Sequence, residues 1–312
     1  MGRQFEKVDD GLLVRAPGKI NLSLLVAGKR ADGFHDIESI MAKIDWYDEI
    51  LIERHEAEGR SRKIELICKG EYKVPEGDEN LVYRAAEEIL KIKKQKVKRR
   101  KEIKEQDAGI RITLTKNLPA GAGLGSGSSD AAATLLGLNK FLRMELNKKE
   151  LVELAVKLGS DVAFFLNGPT ALCTGKGEKV KKLEKCEFRG LLVIPAVSVS
   201  TARVYENYRH DVVKYRWLSR EIITYIAKKR LDLICKMCAN MLQKSCFELH
   251  PELGVLKKRI ESLGIGPFCL SGSGSSMFWI INDRNEEGVR TYRDELERDF
   301  GCRSVFVNNN GW

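Results

Sequence analysis

A stretch rich in glycine, alanine and serine, residues 117–138 (NLPAGAGLGSGSSDAAATLLGL), lies between a strand pattern and a helical pattern. Small side chains let the backbone approach a ligand closely, and a helix N-terminus presents free N–H groups and a partial positive charge. The stretch is therefore a candidate phosphate-binding loop, with a tight strand-to-helix turn that binds nothing as the alternative. It fits neither G-x-x-x-x-G-K-[ST] nor G-x-G-x-x-G, so the two common nucleotide-binding motifs do not apply.

Two charged residues could complete a site for phosphoryl transfer beside this loop. Lys19 follows a Pro-Gly turn at the start of a predicted strand, and Asn21 shares its strand face because alternate residues point to the same side. Asp161 lies between a helix that ends near Gly159 and the apolar run VAFFL, where a carboxylate requires a partner. A buried pair of Lys19 with Asp161 would satisfy both charges and leave a carboxylate close to a hydroxyl group.

The turn RADGFH, residues 30–35, combines a base, an acid, an aromatic ring and an imidazole. Each of these side chains taken alone is better explained as a surface residue. The turn becomes a candidate part of the same site because Lys19 and Asp161, elsewhere in the chain, could support phosphoryl transfer.

The elements that must position these residues follow from the apolar patterns. Alternating and β-branched residues predict strands over most of the first hundred residues, and helical spacing predicts helices over 128–141 and 148–158. The composition changes near residue 165, after which helices predominate, including one predicted over 231–247. We expect an α+β protein of two lobes, residues 1–165 and 166–312, packed together rather than joined by a tether.

The formal net charge of +10 comes largely from one segment, KIKKQKVKRRKEIK at residues 91–104. No aromatic residue is interleaved there to stack on bases, so a solvated helix face is favoured over a nucleic-acid patch. A positive field would also suit an anionic small molecule.

The cysteines and the chain start indicate a cytoplasmic protein. The eight cysteines are scattered among apolar neighbours, and the CxxC pair Cys235 and Cys238 has no second CxxC or close histidine pair to complete a zinc site. Buried, reduced thiols are therefore expected, and no metal site is predicted from protein ligands. We see no signal peptide and no apolar run long enough to span a bilayer, so no membrane association is expected.

Three stretches in this order resemble the GHMP kinase superfamily: APGKINLSL (16–24), the loop at 119–131, and SGSGS (271–275). Within it, KRADGFHDI (29–37), LGSDVAFFL (158–166) and VSVSTARVYENY (197–208) are similar to the family of kinases that act on 4-diphosphocytidyl-2-C-methyl-D-erythritol. The chain departs from that family's usual pattern in having Phe34 for tyrosine, Ala163 for proline and Ser126 for glycine. The presumed catalytic pair is not affected by these departures.

The resemblance implies a two-lobed GHMP kinase fold, with an N-terminal ribosomal protein S5-like lobe that carries the ATP loop and a C-terminal α+β lobe. It implies ATP- and Mg²⁺-dependent phosphorylation of the 2-hydroxyl of a cytidine diphosphate-linked polyol, in the non-mevalonate isoprenoid pathway, by a monomer or homodimer. The resemblance also implies roles for individual residues. Asp161 and Lys19 are the catalytic pair; Asn21, Phe34, His35, Tyr205, Gly272 and Ser273 bind the substrate; and Asn80, Pro119, Ala120, Gly121, Ala122, Gly123, Leu124, Gly125, Ser126, Gly127, Ser128 and Ser129 bind ATP.

Two alternatives stay open. One is another GHMP small-molecule kinase, of the homoserine or mevalonate type, which would not be expected to combine Phe34, His35 and Tyr205 into a set suited to a nucleobase. The other is a non-catalytic nucleotide- or RNA-binding relative that uses the basic run, which the presence of both Lys19 and Asp161 disfavours.

Overall fold

The fold is α+β, as the sequence predicts, and it is seen in a computed structural model that describes residues 3–55, 64–100, 109–281, 293 and 295–312. The basic run at 91–104 begins within the first helix, and its residues 101–104 lie outside the described residues. Among the described residues, no helix combines the length and the apolar composition that crossing a bilayer requires.

The first lobe is built on the larger, seven-stranded sheet. Its strands in chain order are β1 (Phe5–Val8), β2 (Gly11–Lys29), β3 (His35–His55), β4 (Ile64–Gly70), β5 (Gly109–Lys116), β6 (Thr170–Gly175) and β7 (Lys179–Lys182). The spatial order is β1-β2-β3-β5-β4, and β6 pairs with both β3 and β7. Strands β4 and β5 are parallel, and the other pairs are antiparallel.

The long pair of β2 and β3 carries the first candidate residues. Nearly every residue of β2 from Val14 to Val26 is buried, since elements pack on both faces of the strand. The register shifts between Pro17 and Lys19 and again between Asn21 and Ser23. Such irregularities bend a strand and redirect its side chains, and they are common beside functional sites.

Helices cover one face of this sheet. They are α1 (Leu81–Arg100), α2 (Ser126–Phe141), α3 (Lys148–Leu158) and the short α4 (Val162–Phe165). An apolar core lies between them and the sheet, built from residues such as Val14, Ile52, Ala85 and Leu135. Strand β5, the loop at 117–125 and helix α2 therefore follow one another as the sequence predicts.

The second lobe is built on a smaller antiparallel sheet of spatial order β11-β8-β10-β9. Its strands are β8 (Arg189–Ile194), β9 (Cys269–Leu270), β10 (Met277–Ile281) and β11 (Arg303–Asn308). Its helices are α5 (Thr201–Glu206), α6 (Val212–Ala227), α7 (Leu231–Met237), α8 (Gln243–Leu249) and α9 (Pro251–Ser262), and residues 295–300 are also helical.

The single helix predicted over 231–247 is wrong, because the chain breaks it into α7 and α8. Cys238 takes a left-handed conformation with φ of 46°. The residues after it then pair with β2, where Leu24 N–H donates to the Ala239 carbonyl at 2.7 Å and Met241 N–H donates to the Leu24 carbonyl at 2.9 Å. This contact across the chain overrides the local helical pattern.

The boundary expected between residues 165 and 166 does not coincide with a change of sheet, because β6 and β7 lie beyond it and still extend the larger sheet. The lobes are packed together, as expected. A second apolar core joins Ile20 and Leu22 of β2 to Leu191 and Val193 of β8. The smaller sheet is thus fixed against the strand that carries Lys19.

Candidate active site

The candidate phosphate loop leads directly into the N-terminus of α2. Gly121, Gly123 and Gly125 all have positive φ values, of 70°, 77° and 66°. No side chain caps the helix, and the N–H groups of its first residues, Ser126 to Ser128, have no acceptor within the helix by geometry. The loop therefore presents unpaired amides and the positive end of the helix dipole to one region, as an anion-binding loop requires.

Ser126, which replaces the glycine usual in the family, has a clear structural role. Its hydroxyl donates to the Pro119 carbonyl at 3.2 Å, and its side chain is buried. The hydrogen bond closes the loop on itself. Ser129 is also fully buried, and its hydroxyl has no hydrogen-bond partner among the described residues.

The C-terminal glycine-rich segment packs against the phosphate loop. A Cβ atom on Gly123 would lie 2.1 Å from the Ser271 carbonyl oxygen, so only glycine allows this approach. The Ser271 hydroxyl donates to the Gly123 carbonyl at 2.8 Å, and Ser276 N–H donates to the Ala122 carbonyl at 3.2 Å. The Ser273 hydroxyl is 2.8 Å from that of Thr201, at the start of α5.

Lys19 lies beneath both loops, and its ammonium is buried. It donates to Oδ1 of Asn21 at 2.5 Å and to the Gly123 carbonyl at 2.7 Å. The aliphatic part of its side chain lies against Gly125, where an added Cβ would be 3.1 Å from the Lys19 Cε atom. Burial lowers the pKa of Lys19, and the nearby Asp161 carboxylate acts in the opposite direction.

The direct ion pair expected between Lys19 and Asp161 is not formed, because Asn21 and Gly123 supply closer acceptors for the ammonium. Asp161 is half-buried at the start of α4, and its Oδ1 faces Gly177. No residue in the described part of the chain makes a hydrogen bond or an ion pair to its carboxylate. The carboxylate therefore acts on Lys19 through space and keeps its oxygens available.

Asn21 is buried, and both ends of its side-chain amide are used within the protein. Its Oδ1 accepts from Lys19, and its Nδ2 donates to the Ser39 hydroxyl at 2.7 Å. The Ser39 hydroxyl in turn donates to the Ser23 carbonyl at 2.7 Å. Asn21, expected to bind the substrate, thus holds Lys19 in this structure.

The residues expected to bind a nucleobase include an aromatic cluster close to Asp161. The rings of His35 and Tyr205 stack with centroids 5.1 Å apart, and Tyr208 meets the His35 ring edge-on at 5.9 Å. Burial raises the pKa of the Tyr205 hydroxyl, and the Asp161 carboxylate raises it further. Phe34 is instead 56% exposed, with the Lys176 ammonium 4.7 Å from its ring centre.

The surroundings of His35 favour its neutral form. Burial lowers its pKa, and the charges of Lys29 and His210 lower it further. A neutral imidazole carries one N–H donor and one acceptor nitrogen, so it can form hydrogen bonds with the donor and acceptor groups on the edge of a base.

Asn80 caps helix α1 from a position near the phosphate loop. Its Oδ1 accepts from Val82 N–H at 2.9 Å, and its Nδ2 donates to the Pro75 carbonyl at 2.7 Å. The next residue, Leu81, lies against Gly127, where an added Cβ would be 3.8 Å from Leu81 Cδ1. The start of α1 is therefore beside the first turn of α2, where the contact of Asn80 with ATP that the resemblance implies would have to be made.

A buried cluster of three charges supports the loop from behind. Lys116, the last residue of β5, donates to Asp48 and, at 2.7 Å, to Asp130 in the first turns of α2. Oδ1 of Asp48 also accepts from the N–H groups of Asn117 and Leu118, at 2.6 and 2.8 Å. The cluster of Asp48, Lys116 and Asp130 therefore ties the beginning of the loop to the helix that follows it.

Sequence reasoning did not assign roles to Ser271, Ser39 or Tyr208. Ser271 lies within the SGSGS motif, which was a sufficient signal for it, and Tyr208 ends the stretch VSVSTARVYENY. Ser39 has no local signal, since its role depends on the pairing of β3 with β2.

The chain is similar to known kinases over most of its length. The family described as the GHMP kinases N terminal domain matches residues 80–169, and the GHMP kinases C terminal family matches residues 222–299. A 4-diphosphocytidyl-2-C-methyl-D-erythritol kinase of a Geobacillus species is 37% identical over 294 residues, covering 91% of this chain and 95% of that protein. The Bacillus subtilis protein of the same name is 36% identical over 292 residues, with the same coverage of each.

Solved structures show the same relationship. A crystal structure of 4-(cytidine 5'-diphospho)-2C-methyl-D-erythritol kinase has a TM-score of 0.71 at 30% identity, covering 96% of this chain and all of that one. Homoserine kinase from Cytophaga hutchinsonii has a TM-score of 0.72 at 19% identity, covering 99% of this chain and 98% of its own, and shares the fold. The chain therefore belongs to the GHMP kinase superfamily and, within it, to the family of 4-diphosphocytidyl-2-C-methyl-D-erythritol kinases.

Proposed function

We propose that this chain transfers the γ-phosphate of ATP to the 2-hydroxyl of 4-diphosphocytidyl-2-C-methyl-D-erythritol, a step towards isoprenoid precursors in the cytoplasm. The observation that carries the proposal is the position of Asp161. Its carboxylate is close enough to both Lys19 and Tyr205 to alter their pKa values. It is thus near both the phosphate loop, through Lys19, and the His35–Tyr205 stack.

In this proposal, the protein contributes alignment and positive charge rather than covalent chemistry, as phosphoryl transfer requires. The amides at the start of α2 hold the phosphates, and the Lys19 ammonium, hydrogen-bonded to Gly123, stabilises charge that develops on the transferred group. Asp161 orients the acceptor hydroxyl and takes its proton as the bond to phosphorus forms. Asn21 keeps the Lys19 ammonium in place.

Mg²⁺ fits the oxygen atoms that this site offers. The Ser129 hydroxyl, in the first turn of α2, lacks a hydrogen-bond partner among the described residues, and oxygen is the ligand atom that Mg²⁺ prefers. We propose that Ser129, with the ATP phosphates, would hold the ion, which leaves the Asp161 carboxylate to act on the acceptor hydroxyl. When bound, the ion would neutralise charge on the phosphates.

The cytidine end of the substrate would bind at His35 and Tyr205. The Tyr205 ring offers a face for stacking, and the neutral His35 ring offers a donor and an acceptor. Phe34 would have to leave its contact with Lys176 to cover the other face of the base. We propose this movement as part of substrate binding.

A coupled assay of ADP release tests the function with a panel of acceptors: 4-diphosphocytidyl-2-C-methyl-D-erythritol, homoserine and mevalonate. We expect turnover with the cytidyl substrate alone. Tyr205→Ala should raise KM for that substrate roughly ten- to hundredfold, because stacking on a base is worth about 1–3 kcal/mol. KM for ATP serves as the internal control and should not change. Turnover with homoserine or mevalonate, and none with the cytidyl substrate, would contradict the proposal.

A further inference from the structure

A group of cysteines in the second lobe takes no part in the proposed reaction. Cys186 precedes β8, Cys235 lies on α7, Cys238 follows that helix, and Cys269 begins β9. The Sγ atoms of Cys186 and Cys235 are 4.0 Å apart, although 49 positions separate the two residues in the chain. Within the described ranges, no group of three or more histidine, cysteine or acidic side chains is placed to hold a metal ion. The geometry is therefore that of a thiol pair.

The two thiols are buried at the wall of a cavity. Cys186 and Cys235 are 8% and 4% exposed, and both line a cavity of about 810 Å³ together with Arg189, Lys236 and Trp279. None of the described residues that line the cavity belongs to the candidate active site. A reagent could therefore reach the two sulfur atoms without entering the kinase site.

We propose that Cys186 and Cys235 form a redox-active dithiol that exchanges with low-molecular-weight disulfides. The Cys186 thiolate attacks one sulfur of the small disulfide, forms a mixed disulfide and releases the first small thiolate. Cys235 then loses its proton, and its thiolate attacks the Cys186 sulfur and releases the second small thiolate. The two protons of the dithiol end on the two released thiols, and two electrons pass from the protein to the reagent.

The surroundings of the two sulfur atoms determine the order of attack. A hydrogen bond with Cys235 lowers the pKa of the Cys186 thiol, and the same hydrogen bond together with burial raises the pKa of Cys235. The thiolate is the attacking form of a cysteine, so Cys186 reacts first. Closing the bond requires the sulfur atoms to approach to about 2.05 Å.

Cys238 and Cys269 form a second hydrogen-bonded thiol pair, in which the pKa of Cys238 is lowered and that of Cys269 is raised, but neither of them lines the cavity. The Cys238 thiol donates to two backbone carbonyls, those of Cys235 at 3.7 Å and Pro267 at 3.6 Å. The CxxC pair is therefore not the pair that the geometry favours. Cys302 is buried elsewhere in the lobe, where its thiol donates to the Phe300 carbonyl at 3.4 Å.

Helix α7 connects the dithiol to the active site. Asn240, which follows this helix, donates through Nδ2 to the carbonyls of Leu270 and Gly272 at 2.7 and 2.8 Å. An added Cβ on Gly272 would lie 3.3 Å from the Lys19 ammonium, so this segment contacts the catalytic lysine. A disulfide that draws α7 towards Cys186 should displace the Gly272 segment and lower turnover. That consequence rests on the proposed function, whereas the thiol exchange does not.

The test equilibrates the full-length chain with mixtures of oxidised and reduced glutathione, then alkylates free thiols and maps the peptides by mass spectrometry. We expect the oxidised chain to lose two of its eight alkylatable thiols, to contain a Cys186–Cys235 cross-link, and to recover both thiols with dithiothreitol. Cys235→Ser should trap glutathione on Cys186, and Cys302→Ser, the matched control, should still form the cross-link. Cys235→Ala repeats the trapping test with a smaller apolar side chain in case serine disturbs folding.

Two results would overturn the dithiol: eight alkylatable thiols at every glutathione ratio, or a cross-link between Cys235 and Cys238 or between Cys238 and Cys269. Turnover is measured separately, before and after oxidation. An oxidised chain that keeps full turnover would overturn the coupling through Asn240. Failure of the kinase assay with the cytidyl substrate would leave the mass-spectrometric result intact, so the two proposals can be judged independently.

Discussion

The Lys19 ammonium is held by the side chain of Asn21, two residues further along β2, through a hydrogen bond of 2.5 Å. The orientation of the Asn21 amide follows from its other partner. The Ser39 hydroxyl uses its hydrogen to donate to the Ser23 carbonyl, so the Ser39 oxygen accepts from Asn21 Nδ2. With Nδ2 directed at Ser39, the Oδ1 atom of Asn21 points towards Lys19. A chain of neutral groups thus stabilises a buried charge that Asp161 does not contact.

Replacement of Asn21 should therefore change how activity depends on pH. Burial lowers the pKa of Lys19, and Asn21→Leu removes an acceptor that favours the charged form, so the pKa should fall further. If the ammonium is the active form, activity is lost as pH rises through this pKa, and the alkaline limb of kcat/KM should move to lower pH. We expect kcat to fall roughly ten- to hundredfold, since a hydrogen bond to a charged group is worth about 1.5–3 kcal/mol.

The matched variant Asn21→Asp keeps the size of the side chain and adds a negative charge beside the ammonium. It should move the alkaline limb in the opposite direction, to higher pH. Profiles of kcat/KM against pH for the three proteins provide the measurement. Equal shifts in both variants would show that Asn21 does not act through the charge of Lys19.

Asp161 should be needed for turnover and not for ATP binding. Asp161→Ala removes a carboxylate that has no internal hydrogen-bond partner, so the fold loses little. We expect kcat to fall by roughly 10²–10⁴, the usual contribution of a positioned acid or base, while ATP affinity by calorimetry stays within about threefold of wild type. Near-normal turnover in this variant would remove Asp161 from the mechanism.

Gly123 and Gly121 allow backbone strain to be separated from loop packing. Both residues have positive φ, 77° at Gly123 and 70° at Gly121. An added Cβ on Gly123 would lie 2.1 Å from the Ser271 carbonyl oxygen, whereas an added Cβ on Gly121 would have no atom within 4 Å. Gly121→Ala should reduce the free energy of unfolding by about 1–2 kcal/mol, the penalty for a left-handed alanine. Gly123→Ala must also separate the two loops and displace an acceptor of Lys19.

We therefore expect Gly123→Ala to raise KM for ATP and lower kcat well beyond the effect of Gly121→Ala. Denaturant unfolding and steady-state kinetics on both variants give the comparison. Similar kinetic losses in the two would mean that strain alone, and not the contact with Ser271, explains the requirement for glycine.

Local spacing was sufficient to predict part of the site. Alternation along β2 predicted that Lys19 and Asn21 share a face, and their hydrogen bond agrees with this. The strand, loop and helix around residues 109–141 were predicted in the correct order, because each has its own local pattern. The α+β class and the family were likewise confirmed.

What sequence reasoning missed depends on contacts between distant segments. The acceptors of Lys19 include a carbonyl 104 residues away, at Gly123, so the expected pairing with Asp161 could not be checked from spacing. The break after α7 arises from pairing with Leu24, more than 200 residues earlier. Strands β6 and β7 were missed because they are short and are held by β3 rather than by a strong pattern of their own.

The cluster of Asp48, Lys116 and Asp130 predicts a stability that depends on pH. Lys116→Met should lower the free energy of unfolding by about 3–5 kcal/mol at pH 8, because two buried carboxylates lose their cation. Burial already raises the pKa of Asp130 well above its ordinary value, against the effect of the ammonium. Without Lys116, that pKa should rise further.

Some carboxyl groups have a higher pKa in the folded protein than in the unfolded chain. Such a group stabilises the folded state fully at pH values below its pKa in the unfolded chain, and this stabilisation is lost as pH rises towards its pKa in the folded protein. The deficit of Lys116→Met should therefore shrink between pH 8 and pH 5.5 in urea unfolding. Adding Asp130→Asn to Lys116→Met should recover part of the lost free energy of unfolding at pH 8, because it removes one buried negative charge. Lys91→Met, which removes an exposed lysine paired with Glu88 on α1, is the control and should change stability by less than about 1 kcal/mol. If the loss of unfolding free energy in Lys116→Met is the same at both pH values, the substitution destabilises the protein through lost packing and not through uncompensated charge.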